Sequence, residues 1–382
     1  MLGIETDSRR IFGLDLLRAL AIFFVVHGHG SFLLSGTCFA FLTGINLPHG
    51  VDIFFVLSGF LIGTSFLSYS EKQERINLKK VGTFYGRTAL RILPNYYFVL
   101  LLYCVLVQKG AVTGNMNALP LWRFATFTQN LSTPFYDFYW ESWSLPVQWW
   151  FYIMFPVLLF ICRNRKCVRK ATPLICLFFI ITSWLYRYSV SSHVVNSFWW
   201  DVWLRKTVAS RTDNIYIGVL AAWVRVYLPE KWNKHTLVCL LVGLALMVFT
   251  LVVPRPSNSF YSNVVFLSIP PVAISLWLPF LTTIRSSKTF IGKVMSHVSV
   301  LSYAMFLNRP SPRRNASPGT SRYGSSPRDL IASSSSSVQC PNGYENLTGR
   351  RPVHSSICAC ALSISSSDSS TGRHEQLMWL HV

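Results

Sequence analysis

Apolar runs of about 17 to 23 residues recur along this chain, separated by short segments in which Lys and Arg collect. A run of that length matches the thickness of a bilayer's hydrocarbon core, where every backbone N–H and C=O must be satisfied within the segment itself. The architecture is thereby limited to a helix bundle. The runs lie near 15–34, 50–67, 92–108, 145–162, 171–190, 210–228, 236–253 and 262–284, and a further one starts at 297–308. Hydrophobic residues make up 51% of the chain and charged ones 13%, too greasy a mixture for one soluble domain. The expected fold class is all-α: a polytopic transmembrane bundle of eight full spans plus a partial ninth.

The formal charge of +20 invites a nucleic-acid reading, but its distribution argues for a lipid bilayer as the partner and against nucleic acid. Basic residues crowd into Lys72–Arg91, Arg163–Lys170, Arg225–Lys234 and Arg285–Lys293, whereas residues 35–49 carry none and 254–261 only Arg255. By the positive-inside rule this alternation places the N-terminus in the cytoplasm and the 109–144 loop outside, giving a multi-pass protein of the plasma or inner membrane. Phe135, Tyr136, Phe138, Tyr139, Trp140 and Trp143 in that loop read either as an interfacial aromatic belt or as a sugar-stacking surface. Arg9-Arg10 resembles the start of a twin-arginine signal, yet Asp15 and Arg18 interrupt the apolar core that follows, so the first span reads as retained. The nine cysteines show no metal-ligand spacing, and no metal site is expected.

After residue 308 the pattern changes. Residues 309–382 are Ser- and Arg-rich, contain no Lys and lose all hydrophobic periodicity. Such composition cannot bury enough apolar surface to fold. Two domains are expected: a membrane domain over 1–308, incomplete at its C-terminus, and a low-complexity tail over 309–382, disordered or out of frame. Because Leu301–Asn308 looks like a span just begun, the expectation is a truncated or frameshifted reading frame.

Ionisable groups inside apolar runs are expensive and by default mark function. The first span holds Arg18, His27 and His29. At about 100° per residue Arg18 and His29 lie only about 20° apart around the axis, separated by about 16 Å of rise, whereas His27 falls about 180° away from Arg18. The helical wheel therefore selects His29 as the partner of Arg18. Periodicity alone leaves open a blander reading, in which Arg18 snorkels to the surface and His29 closes the far end. Asp52 opens the second span and reads alone as an interfacial cap. Gly59 and Gly63 there form a small-residue pair suited to close helix packing. Arg87 and Arg91, four apart, share a face at the mouth of the third span and suit either a phosphate or lipid head groups. Arg211-Thr212-Asp213 opens the sixth span, as a functional pair or as a local ion pair.

Read in order, these blocks resemble the acyltransferase 3 family of integral membrane O-acyltransferases over about residues 10–308. The resemblance is carried by Arg18 and His29 with ten residues between them, and by the block Gly50–Phe60. Further along it is carried by Arg87, Arg91 and Pro94, by Ser142-Trp143-Ser144-Leu145 with Phe151-Tyr152, by Arg211, Asp213 and Gly218, and by Ser302-Tyr303 with Leu307. It implies ten spans and transfer of an acyl group, usually acetyl, from acyl-CoA as co-substrate to a hydroxyl, commonly of a surface or exported saccharide. No bound cofactor is implied. His29 and Arg18 are then the catalytic residues, and Arg87, Arg91, Asp52, Ser58, Trp143, Arg211 and Asp213 bind substrate or donor. Histidine suits the chemistry because its pKa lies near operating pH. The chain departs from the family at Gln148-Trp149, where two Glu are usual. The alternatives are a membrane transporter or flippase of a glycan or small molecule, since buried Arg, His and Asp also mark transport paths, and an inactive truncated acyltransferase.

Overall fold

The computed structural model describes residues 11–30, 50–73, 76–117, 119–135, 137–162, 164–253 and 259–286, with Met295; of residues 29 and 30 it describes the backbone alone. Residues 1–311 form one unit, and residues 312–382, a second, lie outside the described residues. The described residues are helical, with no strand among them. Eight long helices follow the eight apolar runs: α1 (Phe12–Gly30), α2 (Gly50–Lys72), α3 (Leu78–Gln108), α4 (Ser144–Ile161), α5 (Arg165–Ser189), α6 (Val208–Tyr227), α7 (Thr236–Val252) and α8 (Ile269–Leu281). A π turn at Tyr261–Val265 and a 3-10 turn at Phe266–Ser268 lead into α8. The run expected at 297–308 lies outside the described residues.

Among the described residues, five segments are long and apolar enough to cross a membrane: Gly50–Lys72, Leu78–Gln108, Trp140–Ile161, Arg165–Ser189 and Tyr261–Leu281. The apolar α7 is shorter, at 17 residues, and α6 carries Arg211, Asp213 and Arg225 within its length. Two helices start well before the hydropathy suggests. Asn77 accepts from Lys80 N at 2.8 Å and Asn164 from Cys167 N at 2.8 Å, so side-chain caps extend α3 and α5 into basic, interfacial turns. Hydropathy locates the apolar segment, whereas the cap locates the helix.

The two central helices, α2 and α6, run parallel. Val56 meets Gly218, Gly59 meets Ile215, Gly63 meets Ala222, and Ser70 meets Tyr227, a nearly constant offset along both chains. A methyl group on Gly59 would collide with the Ile215 carbonyl, and one on Gly218 with the Val56 carbonyl, so only glycine lets the backbones touch there. The small-residue pair read from sequence is thus a packing device facing α6. α4 runs parallel to both: Phe66 lies against Phe155, and Phe151 and Phe155 against Tyr216. α5 is antiparallel to α6, through Arg187 with Ser210 at one end, Phe179 stacked on Tyr216 midway, and Trp223 donating to the Arg169 carbonyl at the other. α1 is antiparallel to α2, and its first turn is held at the end of α8 by Gly13 N donating to Ile284 O at 3.0 Å. The helix directions thus alternate along the chain as a multi-pass bundle requires. Phe55, Val56, Phe60, Ile215, Val219 and Ala222 are fully buried, whereas α3, α5 and α7 turn Phe98, Leu101, Leu177, Phe178, Leu185, Val238 and Leu241 outward. An apolar outer face is what hydrocarbon, rather than water, wets.

The 109–143 segment differs from both sequence readings. Phe124, Phe127, Phe135, Phe138, Tyr139 and Trp143 are buried; Tyr136 lies outside the described residues. Their rings pack on one another and on Tyr96 and Tyr103 of α3, and Tyr96 Oη donates to Phe124 O at 2.9 Å. These aromatics are neither a belt nor an open stacking surface. They are the core of a folded loop, because composition alone does not say whether a loop buries its own side chains. The loop reaches α6 too: Val208 N and Ala209 N donate to Asn130 O and Leu131 O at 2.8 and 3.0 Å, satisfying the open donors at that helix start.

Beside it, the α5–α6 connection folds around Asp201. Lys206 Nζ lies 2.5 Å and Arg205 Nη1 2.9 Å from its carboxylate, and Lys206 sits 3.6 Å from the Trp140 ring centroid. Burial works against charge on Asp201, but Lys206 and then Arg205 outweigh it and hold the carboxyl below its ordinary range. A depressed carboxyl contributes stability above its unfolded value, about 3.9, and loses that contribution as pH falls through the lower folded value. Burial lowers the Lys206 ammonium, against the attraction of Asp201. The melting-temperature gap between the wild type and Asp201→Asn is therefore expected to be full at pH 6 to 7 and to close below about pH 4. A gap of constant size from pH 7 to 3 would contradict the pairing.

Candidate active site

Two polar layers cross the bundle. The first lies where α2 and α6 begin. Asp52 sits in the first turn of α2, and the parallel register set by Gly59 and Gly218 brings it opposite Arg211 and Asn214. Arg211 Nη2 donates to Asp52 Oδ1 in a short ion pair, and Asn214 Nδ2 donates to the same oxygen at 2.8 Å. Both charged side chains are almost fully buried. The Phe55 ring centroid lies 6.0 Å from the Arg211 guanidinium carbon and 6.0 Å from the Trp143 ring. Read alone, Asp52 suggested an interfacial cap; instead its carboxylate reaches across to a second helix.

Asp213 turns the other way. It pairs at 2.7 Å with Arg187 Nη2 of α5, and neither side chain has any solvent exposure. Arg187 Nη1 donates to Val264 O and Ser268 Oγ, each at 2.8 Å, and Nε donates to Ser210 O at 2.9 Å. Ser268 Oγ donates to Asp213 Oδ2 at 2.6 Å. The network ties α5, α6 and the turn ahead of α8 into one unit, with both charges hydrogen-bonded as burial demands. Arg211 and Asp213 are therefore not a local ion pair. Two residues apart on a helix they face different neighbours, and each has its own partner.

The second layer lies one to two turns further along α2. Tyr152 Oη of α4 is 3.2 Å from Gln148 Oε1 and 3.4 Å from Ser58 Oγ, and it has one proton to give. Arg18, on α1, is 27% exposed, and Arg91, on α3, is exposed. Arg18 donates to Asp15 at 2.9 Å, one turn back. Tyr85 Oη donates to Ile153 O at 2.7 Å and fixes α3 beside α4 at this level. Gln148 is buried and serves as the tyrosine's acceptor.

The sequence-derived residues thus separate into groups. Ser58 meets Tyr152, and Arg18 pairs with Asp15 on its own helix; Asp52, Arg211 and Trp143 converge around Phe55; Asp213 belongs to another cluster with Arg187. Arg87 and Arg91, one turn apart on α3, are both exposed. His29 lies in α1 by its backbone, and its side chain is outside the described residues; His27 is partly buried, its ring 6.2 Å from that of Phe23. Sequence reasoning passed over Arg187, Asn214 and Ser268, and named Tyr152 only as part of the Phe151-Tyr152 motif. Arg187 carried the same signal as Arg18, a cation inside the apolar run Trp184–Tyr188. The two hydroxyls and the amide carry no such signal, since their roles depend on which helices meet.

A family model described as an acyltransferase domain matches residues 11–308 of this chain. Among curated proteins, the peptidoglycan O-acetyltransferase OatA of Listeria monocytogenes is 29% identical over 177 residues, covering 41% of this chain and 26% of its own length. The chain thus spans about a quarter of the curated relative it matches. No solved structure matches.

Proposed function

The chain belongs to the acyltransferase family, and from that premise we propose that it is a membrane O-acetyltransferase moving acetyl from acetyl-CoA to a hydroxyl of an envelope saccharide, on the pattern of its peptidoglycan-modifying relative. The observation that carries this reading is the polar layer between α2 and α4, where the buried Tyr152 hydroxyl lies 3.4 Å from Ser58 Oγ and 3.2 Å from Gln148 Oε1. Arg18, paired with Asp15 and 27% exposed, and the exposed Arg87 and Arg91 of α3 supply cations for an anionic ligand. The phosphates and polar arm of coenzyme A supply one.

In this reading the N-terminus is cytoplasmic, the donor enters past Arg87 and Arg91, and its thioester reaches the His29 and Arg18 face. The acceptor oxygen attacks the thioester carbonyl carbon while its proton passes to the His29 imidazole. The C–S bond breaks, the thiolate leaves with the electron pair, and the imidazolium returns the proton to sulfur. The products are an O-acetyl ester and free coenzyme A. A thioester is already activated, so proton transfer from the hydroxyl is the main demand on the protein.

Arg91 and Arg87, both exposed on one face of α3, make the same prediction. Arg91→Ala is expected to raise KM for acetyl-CoA roughly tenfold or more, the scale of one charge-assisted hydrogen bond. Arg87→Ala, likewise exposed and one turn away, should raise it by a similar factor, and KM for the saccharide should be nearly constant in both. A selective rise in the acceptor KM for Arg91→Ala would show that the donor does not bind at this layer.

A further inference from the structure

The Asp52–Arg211 layer is incompletely satisfied in a specific way. Among the described residues, Arg211 Nε and Nη1 have no hydrogen-bond partner, and neither do Asn214 Oδ1, Ser144 Oγ and Asn130 Oδ1. All four side chains are at least nine-tenths buried: Arg211 and Ser144 are each 1% exposed, and Asn214 and Asn130 not at all. A buried polar group left without a partner is costly, and native proteins leave few of them. The assignment of Asn130 is secure, because its Nδ2 donates to Trp143 O and Lys206 O at 2.8 and 2.7 Å, which fixes where Oδ1 points.

These groups stand at one level. α2, α4 and α6 are parallel, and the register that places Phe151 against Tyr216 places Ser144 beside the first turn of α6, where Arg211 lies. Asn130 accepts from Val208 N at the same helix start. Unpartnered donors and unpartnered acceptors therefore share one layer without closing on each other. A phosphate or carboxylate would satisfy the arginine alone. A ligand that both accepts and donates is required, and neighbouring hydroxyls of a sugar ring do both. Trp143, whose backbone carbonyl Asn130 holds, adds an apolar ring face beside the layer.

We infer that Arg211, Asn214, Ser144 and Asn130 form the subsite for the hydroxyls of the saccharide acceptor, one to two turns from the donor layer at Tyr152. This deepens the acetyltransferase reading and rests on it. Ser144→Ala removes an unpartnered hydroxyl and nothing else, so a purely structural serine would leave the kinetics alone and stability unchanged or raised. Arg211→Lys keeps the charge opposite Asp52 and removes the planar fork.

The test measures KM for soluble peptidoglycan fragments and for acetyl-CoA in the full chain, with melting temperature alongside. Both variants are expected to raise the fragment KM about tenfold, to leave the acetyl-CoA KM within about twofold, and Ser144→Ala is expected not to lower the melting temperature. A rise confined to acetyl-CoA, or unchanged KM values for both ligands, overturns the subsite. If the wild type transfers no acetyl group, the acetyltransferase reading fails by itself, and stabilisation by the fragments then decides the subsite. Stabilisation lost in Ser144→Ala and Arg211→Lys supports it; stabilisation equal in all three proteins, or absent from the wild type, overturns it.

Discussion

Arg187→Met is expected to destabilise the bundle by about 3–5 kcal/mol, the scale for removing one partner of a buried ion pair. Arg187 spends its donors on Ser210, Val264, Ser268 and Asp213, and every one of those acceptors sits in the interior. Removing the guanidinium leaves a carboxylate in the apolar core with Ser268 as its remaining partner in the network. The double variant Arg187→Met with Asp213→Asn removes both charges and should recover much of the loss, because the cost lies in the charge left unpaired. The measurement is a thermal melt of detergent-solubilised single and double variants. If the double variant melts as low as the single one, the network acts through shape and not through charge.

That network also marks where the sequence stops being legible. The spans could be read directly, because hydrocarbon demands about twenty apolar residues and few other constraints imitate that. Arg18 and Asp52 could be read as unusual for the same reason. Their partners could not. Asp213 looks like a companion of Arg211 in sequence, and only the meeting of three helices assigns one to Arg187 and the other to Asp52. The early starts of α3 and α5 depend on single capping asparagines, Asn77 and Asn164, that hydropathy does not register. The aromatic loop was ambiguous because Phe and Tyr serve a membrane interface and a buried core equally well. The structure buries them against Tyr96 and Tyr103. Gly59, by contrast, was read correctly as a contact point, since a missing side chain at that spacing has few other uses.

The second large effect concerns activity. His29→Ala is expected to lower acetyl transfer by about 100- to 10,000-fold, the range for removing a general base. His27→Ala should have a much smaller effect at equal protein level. The basis is the helical wheel of α1, on which Arg18 and His29 share a face and His27 lies opposite. Arg18, paired with Asp15 at 2.9 Å, marks the polar side of that wheel. Rate should fall with little change in KM for acetyl-CoA, since a base acts in the transition state and not in donor binding. Equal losses from the two substitutions would remove the reason for choosing His29.

Acyl transfer across the bundle is tested most directly by incubating membranes containing the full chain with acetyl-CoA labelled in the acetyl group and isolating the saccharide. Ester-linked label on saccharide hydroxyls, present with the wild type and with His27→Ala and lost with His29→Ala, is the expected result. Movement of saccharide across the membrane with no label attached would contradict acyl transfer and identify a transporter.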